Sequence, residues 1–323
     1  MSTRDQLLSY LKEEKSNWIS GEMLSSRLSI SRSAIWKHIH VLKEDGYIIE
    51  SSPKKGYCFM ENSEMLLPGE IRENLDTKAF GREEIVYFKE TDSTNARARE
   101  LASKGASEGT IVIAENQTQG RGRKGRSWFS PAEQGIYISL VLRPLIAPNE
   151  APKMTLLTGV AVAETLLSLT DLEINIKWPN DILISGKKVA GILTEISTEM
   201  DAIEYVIVGL GLNVNTVSFP DDIKEKATSL FIEAGRHFSR SKLIGNYLKW
   251  HEKYYDELKI IGFSPVMKRW KALSNIAGKL VRVEMIDRDI TGKVLGIDED
   301  GALIVEDNDG ISQRIFAGDV ILI

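Results

Sequence analysis

The chain has 323 residues, 42% of them hydrophobic and 27% charged, with a formal net charge of −5. That length exceeds one comfortable core and predicts two or three domains, while the composition excludes wholesale disorder. A single cysteine, Cys58, excludes a disulfide framework and a cysteine-based zinc ribbon, and no run approaches the ~18 apolar residues of a membrane span.

The charge is unevenly shared. Residues 1–60 hold nine Lys/Arg against seven Asp/Glu, a net of +2, and the remainder carries −7. The N-terminal stretch is amphipathic and charged, without the apolar centre of a signal peptide. With no disulfide framework either, the expected location is the cytoplasm. Residues 4–14 place Leu7, Leu8 and Leu11 on one helical face. Ser20 is an N-cap candidate for a second helix with Met23, Leu24 and Leu28 as its apolar face. Ser31 is the next, ahead of Ile35, Ile39 and Leu42, and Gly46 predicts the stop. Extended runs at 47–50 and 56–60 flank a tip with two lysines.

Helix, helix, tight turn at 28–30, helix and hairpin is the layout of a winged helix-turn-helix, expected over residues 1–65. The exposed face of its third helix would offer Ser31, Arg32, Ser33, Trp36, Lys37 and His40 to phosphates and base edges. The wing tip would offer Lys54 and Lys55 to the DNA backbone. A small protein-interaction domain with a solvated polar face and Trp36 turned inward has the same pattern.

A connector follows at 61–80, with Pro68 starting a helix over 70–75. Strand patterns at 85–88, 110–114, 136–142, 175–178, 181–184, 192–197 and 205–210 mix with helical ones at 95–103, 154–169, 243–258 and 265–273. They predict an α/β domain over 66–273. Five short strands split by Asp/Gly turns, at 280–285, 290–297, 302–306, 313–316 and 320–322, predict a small SH3-like barrel over 274–323.

The segment Gly120–Arg126 holds three glycines, four cations and no acid. Glycines admit an anion close to the backbone and arginines donate to it in pairs, so a polyphosphate is the natural guest. A solvated basic loop has the same composition. Gly120, Gly122 and Gly125 satisfy G-x-G-x-x-G, and 120–127 nearly fits a P-loop, but no helix follows either and Arg126 stands where the P-loop lysine belongs. Four cations in seven residues repel one another, which predicts disorder until an anion arrives. Lys177-Trp178-Pro179-Asn180-Asp181 reads either as a hairpin tip or as a lysine and carboxylate holding a phosphate and its metal. Lys188 lies near Ala190 and Gly191, small residues that admit a ligand, and the Gly209–Asn215 run would let backbone lie against a flat substrate.

Together and in this order, Ser93-Thr94-Asn95, GRGRKGRSW at 120–128, KWPND at 177–181, KKVAGIL at 187–193 and GLGLNVN at 209–215 resemble the biotin–protein ligases, over the whole chain. The flanking domains make the chain similar to the bifunctional form that also represses biotin operons. The resemblance implies an α+β multidomain fold: winged helix-turn-helix, central mixed-sheet ligase domain like that of class II synthetases, and C-terminal SH3-like barrel. It implies formation of biotinyl-5′-AMP from biotin and ATP with Mg²⁺, then transfer to a lysine of a biotin carboxyl carrier protein.

By that resemblance Ser93, Thr94, Asn95 and Gln117 line the ureido end of biotin. Gly120, Arg121, Gly122 and Arg123 wrap biotin and the adenylate, and Gly191, Leu193 and Gly209 complete the pocket. Lys188 and Arg123 are the catalytic candidates. Trp128 packs on the adenine, Arg126, Lys177, Asn180 and Asn213 serve the nucleotide, and Asp181 serves Mg²⁺. His38, His40, His237 and His251 lie outside these motifs. Ordering of the basic loop around the adenylate would create a dimer surface that sets two winged helices on a palindromic operator. A lipoate–protein ligase, a ligase whose first domain does not bind DNA, and a transcription regulator that senses a small ligand are the alternatives.

Overall fold

The computed structural model describes residues 3–14, 16–60, 65–199, 202–285 and 288–323. The start of the expected connector, residues 61–64, lies outside the described residues. The chain divides into two compact units, Met1–Glu73 and Asn74–Ile323.

Among the described residues the first unit runs α1 (Thr3–Glu13), β1 (Trp18–Ile19), α2 (Gly21–Leu28), α3 (Arg32–Glu44), β2 (Ile49–Ser52), β3 (Gly56–Phe59) and α4 (Pro68–Arg72). Capping chemistry sets the helix starts: Ser20 Oγ accepts from the Met23 amide and Ser31 Oγ from the Ala34 amide. Between the two helices Ser29 adopts a left-handed conformation, φ 54°, which makes the tight turn. Leu7, Leu11, Leu24, Ile35 and Leu42 are buried in the core of this unit. Met23 departs from expectation. It is 56% exposed, and Leu24 carries the buried face of α2 instead, because one helical step turns a side chain by about 100°. The hairpin gains a third strand, in the order β1-β3-β2, with Trp18 opposite Cys58. The unit is a winged helix-turn-helix.

The second unit continues with β4 (Ile85–Thr91), α5 (Thr94–Ser103), β5 (Ile111–Gln117), β6 (Gly135–Leu142), α6 (Pro152–Leu169), β7 (Ile174–Lys177), β8 (Asp181–Ile184), β9 (Lys187–Glu199), β10 (Ala202–Asn213), α7 (Leu230–Ala234), α8 (Arg240–Ile261) and α9 (Ser264–Leu273). These seven strands form a mixed sheet, order β4-β5-β6-β10-β9-β8-β7, in which β4 and β5 pair in parallel and the other neighbours antiparallel. Helix α5 packs on β5, β6 and β10, while α6 packs on β7 and β9 and against α8 and α9. Covered on more than one side, α6 is apolar around most of its circumference. No helix among the described residues is long and apolar enough to cross a membrane.

Two strands exceed their expected limits. The runs at 192–197 and 205–210 extend to the thirteen residues of β9 and the twelve of β10. Residues 187–193 and 209–213 of the glycine-containing motifs therefore lie within these two strands. Beyond α9 the chain forms β11 (Leu280–Glu284), β12 (Asp289–Ile297), β13 (Leu303–Asp307), β14 (Ser312–Ile315) and β15 (Asp319–Leu322), an antiparallel SH3-like module in the order β14-β13-β12-β11-β15. The buried Trp178 indole donates to the Gly301 carbonyl at 3.0 Å, tying this module to the turn between β7 and β8.

Candidate active site

A cavity in the second unit is floored by β9 and β10 and walled by the start of α5, the end of β5, the 120–128 loop, the start of β8 and the start of β15. Its two ends differ in chemistry.

At one end Ser93, Thr94 and Asn95 are buried in the turn into α5. Arg97 pairs with Asp92 at 2.7 Å, and this hydrogen-bonded guanidinium holds the Asp92 carboxyl far below the usual carboxylate range. Asp92 in turn accepts from the Ser93 amide at 2.7 Å, which fixes the turn. Ser93 occupies the N-cap position without making a capping bond. The Thr94 amide and hydroxyl both donate to Gln117 Oε1, at 2.9 and 3.1 Å. Asn95 Nδ2 donates to the Leu193 carbonyl and to Glu195 at 2.8 Å. Beneath them Ser139 Oγ lies 2.8 Å from Thr94 Oγ1 and 2.7 Å from Asn95 Oδ1. A side chain at Gly209 would collide with the Asn95 amide. This end is a locked set of neutral donors and acceptors, suited to a polar, uncharged group.

The other end is cationic. The 120–128 loop is a folded turn: Arg121 bridges Ser127, the Gly122 amide donates to the Arg126 carbonyl at 2.7 Å, and Lys124 is left-handed with φ 54°. The expectation of disorder omitted an anion within the chain. Arg126 and Lys124 reach Asp319 at 2.7 and 3.4 Å. Arg123 donates to Asn180 Oδ1 at 3.1 Å. Lys188 Nζ lies 2.6 Å from Asp181 and 5.3 Å from the centre of the Trp128 ring.

Between the two ends the Trp128 indole lies across Gly191 and Gly211, which are register partners on β9 and β10. A methyl group at Gly191 would come within 2.9 Å of the indole, and one at Gly211 would overlap it. The arrangement seats an elongated ligand, neutral and polar at one end and anionic at the other, beside an aromatic plane.

Residues 87–213 match the biotin/lipoate A/B protein ligase family, residues 3–58 an HTH domain, and residues 276–323 the biotin protein ligase C terminal domain. The bifunctional ligase/repressor BirA of Bacillus subtilis is 40% identical over 98% of this chain and 98% of its own length. That of Escherichia coli is 32% identical over 94% and 92%. The chain belongs to the BirA family of bifunctional ligase/repressors. A solved biotin protein ligase from Aquifex aeolicus, in complex with biotin and ATP, is similar to this chain at a TM-score of 0.65 and 32% identity, over 74% of this chain and 98% of that one.

In this member of the BirA family the cavity brings together Ser93, Thr94, Asn95, Gln117, Arg121, Gly122, Arg123, Arg126, Trp128, Asn180, Asp181, Lys188, Gly191, Leu193 and Gly209. Three residues expected in the site do not line it. Gly120 lies behind the loop, where its carbonyl accepts from the Trp128 amide at 2.9 Å. Lys177 ends β7, opposite Asp181 in the ladder. Asn213 is buried and spends its amide on the Thr228 carbonyl at 2.9 Å. Sequence reasoning missed Ser139 and Asp319, and took Gly211 only as part of the 209–215 run. Ser139 left a faint signal, a hydroxyl inside the apolar run of β6; Asp319 left none. In the first unit Ser31, Arg32, Ser33, Trp36, Lys37, His40, Lys54 and Lys55 are all exposed, with Trp36 at 57%.

Proposed function

We propose that this chain activates biotin with ATP, transfers it to a lysine of a biotin carboxyl carrier protein, and represses biotin genes by binding operator DNA. The observation that carries the reading is the two-ended cavity, a neutral hydrogen-bonding cradle at one end and a cationic loop with Lys188 at the other. Biotin has that polarity, a ureido ring and a carboxylate, and joining it to a nucleotide places phosphate among the arginines.

In the first step a biotin carboxylate oxygen bonds to the α-phosphorus of ATP and the bond to pyrophosphate breaks. In the second a carrier lysine amine bonds to the acyl carbon, AMP departs and the amine loses a proton. Both steps gather negative charge at phosphate, so fixed cations and positioning do the work. Ser93, Thr94, Asn95 and Gln117 hold the ureido ring, with Gly191, Leu193 and Gly209 along the chain of biotin. Arg121, Gly122 and Arg123 close over the ligand. Lys188 holds the carboxylate beside the α-phosphate, and Arg123 meets the developing charge. Trp128, Arg126 and Asn180 serve the nucleotide. Asp181 Oδ1 pairs with Lys188 Nζ at 2.6 Å on the cavity wall, and one carboxylate beside substrate phosphates suits Mg²⁺. Asp181 would hold that ion, which would supply positive charge to the nucleotide phosphates.

The exposed face of α3 and the two wing-tip lysines support operator binding, with the basic residues on phosphate and Trp36 and the serines near base edges. Binding of the adenylate by the 120–128 loop is the event expected to favour a homodimer, which presents two such faces to a palindrome.

The test is incubation with ATP, Mg²⁺, biotin and a carrier domain, read as biotinylated lysine, with lipoate in parallel. Lys188→Ala is expected to lower the rate at least ~100-fold. Absence of biotin transfer, or transfer of lipoate alone, overturns the ligase reading, and an unimpaired Lys188→Ala overturns the role of that lysine. Gel shift and sedimentation with and without biotinyl-AMP decide the repressor part: adenylate that changes neither operator affinity nor association state refutes the coupling.

A further inference from the structure

The cationic loop is held from the C-terminal module. Glu284 and Asp319 are register partners at one end of the C-terminal sheet, on β11 and β15. Three acceptors at this end face the loop. The Asp319 carboxylate meets Arg126 at 2.7 Å, Lys124 at 3.4 Å and Arg123 at 3.9 Å. The Gly318 carbonyl accepts from Arg123 at 3.3 Å, and the Glu284 carbonyl accepts from Lys124 at 3.1 Å.

Asp319 also lines the cavity, with its side chain only 18% exposed, so solvent screens it incompletely. A carboxylate in a phosphate subsite repels the ligand, and a wall selected for anion affinity alone would not contain one. Its effect falls instead on the loop. Four cations within seven residues repel one another, and one shared carboxylate converts that repulsion into a fixed fan of donors. Arg121, Arg123, Arg126 and Lys188 still outnumber Asp181 and Asp319 on the cavity wall, so the subsite remains attractive to phosphate.

We propose that Asp319 is a positioning residue for adenylation: reaching in from the C-terminal sheet, it aligns Arg123, Lys124 and Arg126 toward the polyphosphate of ATP. The proposal rests on the ligase reading above. It makes the C-terminal module part of the nucleotide site and predicts a defect confined to ATP.

Asp319→Asn keeps the shape and removes the charge, while Asp319→Glu restores the charge on a longer arm. Both are made in the full chain and compared in two assays. Trypsin cleavage within the 120–126 loop, without nucleotide and followed by mass spectrometry, is expected to quicken several-fold in Asp319→Asn and to stay near wild type in Asp319→Glu. In biotin-dependent release of pyrophosphate, Asp319→Asn is expected to raise KM for ATP about tenfold. KM for biotin should stay within about twofold, and Asp319→Glu should recover most of the loss. Unchanged cleavage, an unchanged or lowered KM for ATP, or an equal rise in both KM values overturns the proposal. A Glu variant as impaired as the Asn variant also overturns it. Failure of the ligase reading looks different: the wild-type chain releases no pyrophosphate from ATP with biotin, whatever the loop cleavage shows.

Discussion

Gly211 and Gly191 make a bed for the Trp128 indole, and neither position has room for a side chain. Gly211→Ala is expected to displace the indole, destabilising the protein by about 1–3 kcal/mol and altering its near-ultraviolet circular dichroism. An unchanged spectrum and melting temperature would contradict this packing. His251 illustrates a different constraint. Burial lowers its pKa from 6.5 to about 3. Its Nε2 lies 3.1 Å from Thr158 Oγ1, whose own proton goes to the Met154 carbonyl at 2.7 Å, so Nε2 carries the imidazole proton. Nδ1 has no partner among the described residues. The unfolded chain takes up a proton below about 6.5 that the folded chain refuses until about 3. Stability is therefore full above that window and falls on acidification through it, by at most roughly 1.4 kcal/mol per pH unit. His251→Gln should flatten this part of the melting temperature–pH curve, and an equal slope in the variant would remove His251 as its source. Lys188, Arg123 and the Ser-Thr-Asn turn were legible in the sequence because their motifs are contiguous. Ser139 was not, because a lone hydroxyl in a buried strand becomes informative only once Thr94 and Asn95 lie above it.

The elements were legible to the extent that their determinants are local. Ser20 and Ser31 cap helices where expected, since a cap is decided within three residues. Strand ends were less legible: β9 and β10 incorporate the glycine motifs because those glycines face the indole and the Asn95 amide across the sheet. The two residues of β1 and the five of α7 are too short for any periodicity. Helix α3 and the wing carry the prediction at this scale. Arg32→Ala and Lys54→Ala are expected to weaken operator binding on any sequence, each lowering the slope of log affinity against log salt by about 1. Biotinylation of a carrier should be unaffected in both variants. A slope unchanged in both would remove these residues from the phosphate contacts.

For the whole molecule the decisive fact is the division into Met1–Glu73 and Asn74–Ile323, with the cavity wholly inside the second unit. Calorimetry is expected to resolve two transitions. Biotinyl-AMP at a hundredfold excess over its Kd should stabilise the one belonging to the second unit by about 2.7 kcal/mol and leave the other in place. A single transition that moves as a whole would contradict independent melting. The sequence by itself determined the kinds of element, the helix caps, the winged helix-turn-helix and the contiguous chemical motifs, because all of these are settled by neighbours along the chain. Only the tertiary structure decided which distant groups share the site. Arg126 and Asp319 pair across 193 residues, and the register of β9 on β10 sets Gly191 beside Gly211. An ion pair or a close approach between remote segments leaves no trace in local composition, since either partner alone reads as an ordinary surface charge or a turn glycine.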